Sequence, residues 1–375
     1  MNSRLDLSTH GFWEYTSPGV GGAEHFQRDD YLELLDDMAG AGMRSLMLVV
    51  KWLTTGYRSR ITALDQDPTN PVIASGNDLL REVIDEAHAR GIAVHLGAVL
   101  SMYDVERFPG TAHVTMTEAG GWKLPMEVGL YTADDPAVAE IGAELIAELW
   151  DEFPAMDGLL VELEGSGRPT AERRALYDAW AERHGEQSFD AIAPVYDGRG
   201  TDIAAWRRFT TDARIDLLTG LERGLVDQGF GGRWFSLCET GNYPYAVFQE
   251  IDLTRMRDAL PHWEMVLYDY DKWSHRAAMM DFCIDQPRQL GMTASYLARG
   301  IMTWSTDGSW PLPMQLRDHW ALDREDIERH EPGFVWWFGA GSRGEGLHTS
   351  LARVQEHGFR DGTDARRKLL KLLTS

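Results

Sequence analysis

Cysteine is scarce in this chain, with two residues among 375. Cys238 and Cys283 stand in apolar surroundings and form no CxxC pair, so we expect free buried thiols rather than a disulfide. Such thiols are typical of a reducing compartment, and the amino-terminal residues 1–6 lack the apolar core of a secretory signal. We therefore expect a cytoplasmic protein.

Positive charge and long apolar runs are also in short supply. The 36 lysines and arginines stand against 59 aspartates and glutamates, which gives a formal net charge of −23. This charge argues against nucleic acids and anionic membrane surfaces as partners. No segment approaches the roughly 18 apolar residues that a membrane span needs. Neither a P-loop nor a GxGxxG sequence after the first strand occurs, and we expect no cofactor.

Strand and helix signals, by contrast, alternate from end to end of the chain. The pattern predicts eight strands, at residues 9–15, 44–52, 92–101, 157–165, 233–239, 264–270, 301–305 and 333–338. Alternating strands and helices indicate a parallel sheet, and eight such units favour closure into a (β/α)8 barrel. We expect one catalytic barrel domain over residues 1–375, with a doubly wound open sheet as the alternative. Among the intervening helices we expect one over 29–41, one over 135–153 and a mainly helical segment over 277–299. Long connections follow strands three and four, with loops expected over 102–133 and 185–201, where the barrel would carry functional loops.

The fourth predicted strand is the most informative stretch of the sequence. Leu159, Val161 and Leu163 alternate with Leu160, Glu162 and Glu164, so one face is apolar and the other becomes acidic. Alternation along a strand places both glutamates on the same side. A buried carboxylate without a partner is costly, and such groups are concentrated at functional sites.

Carboxylates dominate the predicted carboxyl ends of the strands, where barrel enzymes have their active sites. Cleavage of a glycosidic bond needs one carboxylic acid to protonate the leaving oxygen and a second carboxylate as nucleophile or base. We predict that Glu164 is the acid and that nearby Glu162 raises its pKa by like-charge repulsion. The second carboxylate is Asp269 or Glu239, then Asp271.

Aromatic residues are frequent near the same strand ends, within a total of 14 Trp and 12 Tyr. Their flat apolar faces and polar edges suit the stacking of sugar rings. We expect a carbohydrate substrate, and leave a homo-oligomer open. The candidate substrate-binding residues are Glu162, Tyr268, Asp271, Trp304, Trp273, Trp13, Lys51 and Tyr103.

Three segments resemble glycoside hydrolase family 18, the chitinase family. Asp157-Gly158 followed by Glu162-x-Glu164 is similar to its fourth-strand DGxDxDxE, in which the final glutamate is the acid. The run 267–270 is similar to its sixth-strand MxYD, and the run 300–305 to its late GxMxW strand. Leu160 and Glu162 stand where that family has its inner aspartates. The resemblance implies a barrel glycosidase with Glu164 as acid.

A second resemblance covers residues 131–164. Asp135-Pro136-Ala137-Val138, Glu148-Leu149, Phe153-Pro154 and the fourth strand are together similar to α-glucuronidase-type barrels. It implies the same general acid, with carboxylates on later strands as base. The two resemblances agree on a (β/α)8 glycoside hydrolase superfamily, with no particular family assigned.

Two other functions stay open on the sequence. One is a metal-dependent sugar isomerase or epimerase, because such barrels gather carboxylates and histidines around a divalent cation. The residues available for it are Glu164, Glu239, Asp269 and either His95 or His262, although no HxH or HExxH spacing occurs and we expect no metal. The other is a noncatalytic sugar-binding barrel, which needs the aromatic residues but not two carboxylates.

Overall fold

The computed structural model describes residues 5–17, 19, 22–64, 66–112, 114–119, 122–163, 171–196, 204–239, 252–268, 284–301, 315–341 and 350–375. Its strands, in chain order, are β1 (His10–Tyr15), β2 (Ser45–Lys51), β3 (Ala93–Val99), β4 (Met102–Asp104), β5 (Val114–Ala119), β6 (Trp122–Leu130), β7 (Gly158–Glu162), β8 (Arg233–Glu239), β9 (Trp263–Tyr268), β10 (Ala294–Arg299) and β11 (Val335–Phe338).

The helices among these residues surround the strands. They are α1 (Arg28–Ala41), α2 (Pro71–Ala74), α3 (Asp78–Ala89), α4 (Pro136–Glu152), α5 (Ala171–His184), α6 (Phe189–Tyr196), α7 (Ala204–Val226), α8 (Leu253–Ala259), α9 (Gln286–Gln289), α10 (Leu316–His330), α11 (Leu351–Glu356) and α12 (Gly362–Thr374). None of the helices in the described ranges has the length and apolar character that crossing a membrane requires.

Eight of the strands form a closed parallel barrel in the order β1-β2-β3-β7-β8-β9-β10-β11. The ring closes between the first and last strands, where Gly11 pairs with Trp336. Outside this seam, Arg366 on α12 forms an ion pair of 2.6 Å with Asp37 on α1. The predicted (β/α)8 barrel is therefore confirmed.

Each barrel strand divides its side chains between two apolar layers, as the two-residue period of a strand requires. On β7, Leu160 packs inside the barrel, whereas Leu159 and Val161 pack against the outer helices. On β1, Trp13 lies inside and Phe12 outside in the same way. Both faces of the barrel sheet are buried, which explains why the sequences of the strands are nearly continuous apolar runs.

Helix ends follow the capping signals of the sequence. The helix predicted over 135–153 is α4, where the Asp135 carboxylate accepts from the Ala137 backbone N–H at 2.9 Å and Pro136 occupies the first turn. The helix predicted over 29–41 is α1, and Gly42 ends it in the left-handed conformation at φ 94°.

The connection after β3 contains a small antiparallel sheet in the order β4-β6-β5. We predicted a loop over residues 102–133, and that part of the prediction is wrong. The hairpin signal was present in the sequence, since Ala119 pairs with Trp122 and only Gly120-Gly121 separates them. The connection is nevertheless long, as expected.

The connection after β7 is also long and builds a separate aromatic cluster from α5, α6 and the start of α7. Within it, the Arg173 guanidinium lies 4.9 Å from the Trp206 ring and forms an ion pair of 2.9 Å with Asp134. Because Asp134 lies just before α4, this ion pair ties the two long connections together. Helix α6 lies within a segment, 185–201, that we predicted as a loop.

One barrel strand differs in position from the prediction. We expected a helix up to Arg299 and a strand over 301–305, but the strand is β10 at Ala294–Arg299. The preceding helix ends earlier because Gly291 takes φ 68° and the Met292 N–H donates to the Pro287 carbonyl at 2.9 Å. Trp304 comes after the end of β10 in the sequence and lies outside the described residues.

Candidate active site

Glu162 is the described carboxylate that best fits an active site of this fold. It is the last residue of β7, beside Val99 on β3 and Leu237 on β8, at the carboxyl end of the barrel. Glu162 is two residues after Leu160 and therefore lies on the same face of β7, which is the face toward the barrel interior. Glu162 is 2% exposed. The Leu100 N–H donates to its backbone carbonyl at 2.8 Å, which fixes the strand end. Glu162 thus lies on the inner face of β7, at the carboxyl end of the barrel.

Arg214 holds the same strand ends from outside and was missed in the sequence. It lies on α7, and its guanidinium donates to the Leu163 carbonyl at 2.7 Å and the Leu237 carbonyl at 3.4 Å. Both carbonyls belong to the chain at the carboxyl ends of β7 and β8. The available signal was its helical spacing to Leu217 and Leu218, which places a cation on the buried face of α7.

Lys51 ends β2, as predicted, but its ammonium group bonds to protein rather than facing an open cleft. It is fully buried and donates to the Val99 carbonyl at 2.7 Å and to the Met102 carbonyl. The ammonium also lies 3.9 Å from the centre of the Tyr103 ring. These contacts fasten β2 to the start of the insertion after β3, so the expected contact with a sugar hydroxyl is corrected to a structural one.

Two of the predicted sugar-stacking rings are core residues in this structure. Trp13 is fully buried and meets Trp336 edge-on at 6.3 Å inside the barrel. Tyr103 is 1% exposed and stacks on Phe108 at 4.0 Å. A ring with no exposed face offers no surface to a sugar, so both predictions are corrected to core packing.

The polar residues of β1 also face away from the interior. Glu14 is buried among the outer elements and accepts from the backbone N–H groups of Tyr15 at 2.9 Å and Ala340 at 2.7 Å. Burial raises its pKa to about 7, and these hydrogen bonds oppose the rise. His10 accepts from the Trp337 indole N–H at 3.0 Å, and burial lowers its pKa to about 4. Both residues therefore serve the packing of β1 against β11 and its following segment.

The remaining predicted site residues are described in part or not at all. The backbone of Glu239 ends β8 and pairs with Tyr268 at the end of β9, on the same side of the barrel as Glu162. The other candidates, among them the predicted acid, lie outside the described residues: Glu164, Asp269, Asp271, Trp273 and Trp304.

The histidines considered for a metal site lie far from the carboxyl ends of the strands. His95 is fully buried in the barrel, with its ring 4.8 Å from Phe235, and burial together with the charge of Arg233 lowers its pKa to about 3. His262 precedes β9 at the opposite end and contacts Glu222. Within the described ranges, no group of three His, Cys, Asp or Glu side chains could hold a metal ion.

Several residues behind the family resemblances have structural explanations. The Asp157 carboxylate accepts from the Val94 N–H at 2.7 Å and contacts His88 at 2.8 Å, which anchors the start of β7. The next residue is Gly158, and a larger residue would not fit because its side-chain carbon would lie 2.6 Å from His95 Nδ1. Glu148 accepts from the Tyr57 hydroxyl at 2.8 Å and holds the connection after β2. These positions support the barrel rather than its chemistry.

Comparison with known proteins gives matches in structure alone. No family model and no curated protein matches the sequence. A β-galactosidase from Marinomonas ef1 superposes with a TM-score of 0.62 at 15% identity, covering 97% of this chain and 59% of that one. The glycoside hydrolase domain of PgaB from Bordetella bronchiseptica gives a TM-score of 0.59 at 13% identity, covering 88% of this chain and 94% of that one.

A third match is the catalytic domain of a β-amylase from Paenibacillus polymyxa, with a TM-score of 0.54 at 11% identity, covering 89% of this chain and 93% of that one. The chain thus spans about three fifths of the β-galactosidase and nearly all of the other two domains. At these identities the likeness establishes the fold, which is the (β/α)8 barrel of these solved glycoside-cleaving enzymes.

Proposed function

We propose that this chain is a glycoside hydrolase whose reaction takes place at the carboxyl ends of the barrel strands. The observation that carries the proposal is Glu162, a buried carboxylate on the inner face of β7 at that end. Burying a charged group is costly, and such groups occur where the chemistry needs them. The similarity to a β-galactosidase, a glycoside hydrolase domain and a β-amylase supports the same reaction class.

The predicted division of labour follows the needs of glycosidic cleavage. Glu164, two residues beyond Glu162, would protonate the leaving oxygen. Glu239, the last residue of β8, or Asp269, which follows β9 in the sequence, would attack the anomeric carbon or activate water. A separation of about 5 Å between the two carboxyl groups implies retention of configuration, and about 6.5–9.5 Å implies inversion. The substrate would be an oligosaccharide or a simple glycoside.

The fixed geometry around β7 and β8 suits this role. General acid catalysis depends on holding the acid within hydrogen-bond reach of the leaving oxygen. Arg214 fastens the carbonyls of Leu163 and Leu237, one residue before Glu164 and two residues before Glu239. Rigid strand ends would limit the drift of both carboxylates relative to each other.

The test is an aryl-glycoside and oligosaccharide screen of the full chain, with product anomers followed by NMR. On the best substrate, Glu164→Gln is expected to reduce kcat by about 10²–10⁴, because the leaving oxygen loses its proton donor. Leaving groups of low pKa need less protonation, so the loss should shrink on activated aryl glycosides.

Glu172→Gln is the matched control, because Glu172 is an exposed glutamate in the first turn of α5, near in sequence to Glu164. It should keep wild-type kcat, and both variants should keep the wild-type circular dichroism spectrum. Wild-type turnover by a folded Glu164→Gln variant would rule out Glu164 as the acid. Failure of the wild type to cleave any glycoside in the screen would rule out the function itself.

A further inference from the structure

A cavity of about 390 Å³ lies at the end of the barrel opposite the candidate active site. Its walls come from the first residues of β8, β9 and β10, from α9, and from the segment before β11. In enzymes of this fold the reaction occurs at the carboxyl ends of the strands. We call this cavity the amino-end pocket, and the lining residues that matter below are Arg233, Glu264, Met292, Ser295, Pro332 and Phe334.

Two buried polar side chains line the amino-end pocket, and each has one oxygen atom that forms no hydrogen bond. The Glu264 side chain is 5% exposed and Ser295 is 1% exposed. In the part of the chain that the structure describes, neither Glu264 Oε1 nor Ser295 Oγ has a hydrogen-bond partner. Buried polar atoms normally form hydrogen bonds, and leaving one without a partner destabilises the folded protein. Both residues line the cavity, so a molecule bound there could supply the partners.

The charges around the pocket are balanced, which selects against an ionic ligand. The second oxygen of Glu264, Oε2, already forms an ion pair with Arg233. The other charged lining residues are Arg288 and Glu331, one of each sign. A charged ligand would upset this balance at a cost that the remaining polar atoms could not offset. The two groups left for a ligand are the Glu264 carboxylate oxygen, which accepts a hydrogen bond, and the Ser295 hydroxyl, which donates or accepts one. A ligand with neutral hydroxyl groups can bond to both.

The apolar part of the pocket adds a flat surface. Phe334 is partly exposed, and the Arg233 guanidinium lies 5.9 Å from its ring centre and 4.8 Å from that of Phe235. Pro332 and Met292 complete this wall. An aromatic face beside hydrogen-bonding groups is the arrangement that suits a sugar ring, which is apolar on its faces and polar at its rim.

We propose that the amino-end pocket binds a neutral polyhydroxylated molecule of monosaccharide size. One ligand hydroxyl donates to Glu264 Oε1, a second shares a hydrogen bond with Ser295 Oγ, and the ring lies against Phe334. The cavity volume is within the range of small-molecule sites, about 300–1,000 Å³. The site is separate from the proposed catalytic one, and its occupancy does not depend on hydrolysis.

The test uses the full chain labelled with ¹³C at its methionine methyl groups, observed by NMR. Met292 lines the amino-end pocket, whereas Met102 lies beside Lys51 at the carboxyl end of the barrel. D-galactose, D-glucose and inorganic phosphate are each titrated to roughly 100 mM, which covers the millimolar affinity expected of so small a ligand. At least one sugar should shift the Met292 signal saturably, and phosphate should leave it unchanged.

Two variants identify the contacts. Ser295→Ala removes one hydroxyl without touching the ion pair, and Glu264→Gln keeps the shape of the side chain but removes its charge. Each should weaken sugar binding at the Met292 signal about tenfold, as expected for one lost hydrogen bond to a buried group. Glu325→Gln, on the exposed side of α10, should bind as the wild type does.

Several outcomes would overturn the proposal. They are an unmoved Met292 signal with both sugars, a shift with phosphate alone, and equal sugar affinity in wild type and both variants. The outcome of this binding test can be told apart from the outcome of the glycosidase test. A sugar that shifts Met102 but not Met292 binds only at the carboxyl end, whereas a chain that hydrolyses nothing can still show the Met292 shift.

Discussion

His95 offers the sharpest quantitative prediction, because its ring is buried among apolar groups in the middle of the barrel. Among the described residues, neither ring nitrogen has a hydrogen-bond partner. The pKa is lowered from 6.5 to about 3, chiefly by burial and then by the charge of Arg233. We expect the neutral imidazole in the folded protein throughout the range in which the unfolded chain takes up a proton.

The sign of the effect follows from this difference. Between the folded and unfolded pKa values, the unfolded chain binds a proton that folded His95 does not, so acid favours unfolding. The stability contribution is complete above pH 6.5 and is lost as the pH falls below it. At a pH about 1.5 units lower, and at ~1.36 kcal/mol per unit, the loss from this one residue is about 2 kcal/mol.

The perturbation is His95→Phe, which keeps a flat ring next to Phe235 and removes the titration. Urea titrations near pH 7.5 and near pH 5 give the free energy of unfolding of each protein. The larger ring can cost about 1–3 kcal/mol by overpacking, but that cost is the same at both pH values. The informative quantity is the change between the two pH values, which should be about 2 kcal/mol smaller in the variant than in the wild type.

A matched control is His25→Gln, because His25 is exposed on the surface. This control should follow the wild-type pH dependence. If wild type and His95→Phe lose equal stability between the two pH values, then His95 titrates normally in the folded state. The inference that burial keeps the imidazole neutral would then be refuted.

Three further predictions concern β7 and its supports. Gly158→Ala should destabilise the barrel by about 1–3 kcal/mol, because the new methyl would lie 2.6 Å from the His95 ring. Gly231→Ala is the control because Gly231 lies in open space, and equal urea midpoints for the two variants would contradict the packing argument. Arg214→Met should lower both stability, by about 1–3 kcal/mol, and kcat, with Arg214→Lys intermediate; an unchanged kcat would show that the strand ends need no such anchor. Glu162→Gln should keep the fold and shift the pH–rate profile, and a profile identical to the wild type would separate this residue from the catalytic acid.

Much of the fold was readable from the sequence because strand burial leaves a direct trace. The runs at 44–52 and 92–101 are apolar on both faces, as strands enclosed by helices must be, and β2 and β3 lie within them. The carboxyl-end position of Glu162 was readable for the same reason. Alternation with Leu160 fixes its face, and Gly165 marks the nearby end of the strand.

The errors come from places where tertiary contacts override local preference. The sequence of β10, Ala294–Arg299, contains good helix formers, and its strand conformation is imposed by pairing with β9 and β11. Gly291 was the local sign that a helix ends there. For Lys51, residue type alone could not separate a substrate contact from a bond to the Val99 carbonyl, because that carbonyl belongs to another strand.

The seam between β1 and β11 has a consequence for how the protein is made. The barrel cannot close until β11 leaves the ribosome, because one edge of β1 pairs with β2 and its other edge pairs with β11, where Gly11 meets Trp336. Until then β1 presents an open edge to the cell, and exposed edges invite pairing with other chains. Domains emerge at about 5–20 residues per second, so this exposure lasts tens of seconds in each round of synthesis. Chaperone dependence during translation should therefore centre on β1, the first barrel strand to be made, whose second edge is paired only when β11 arrives.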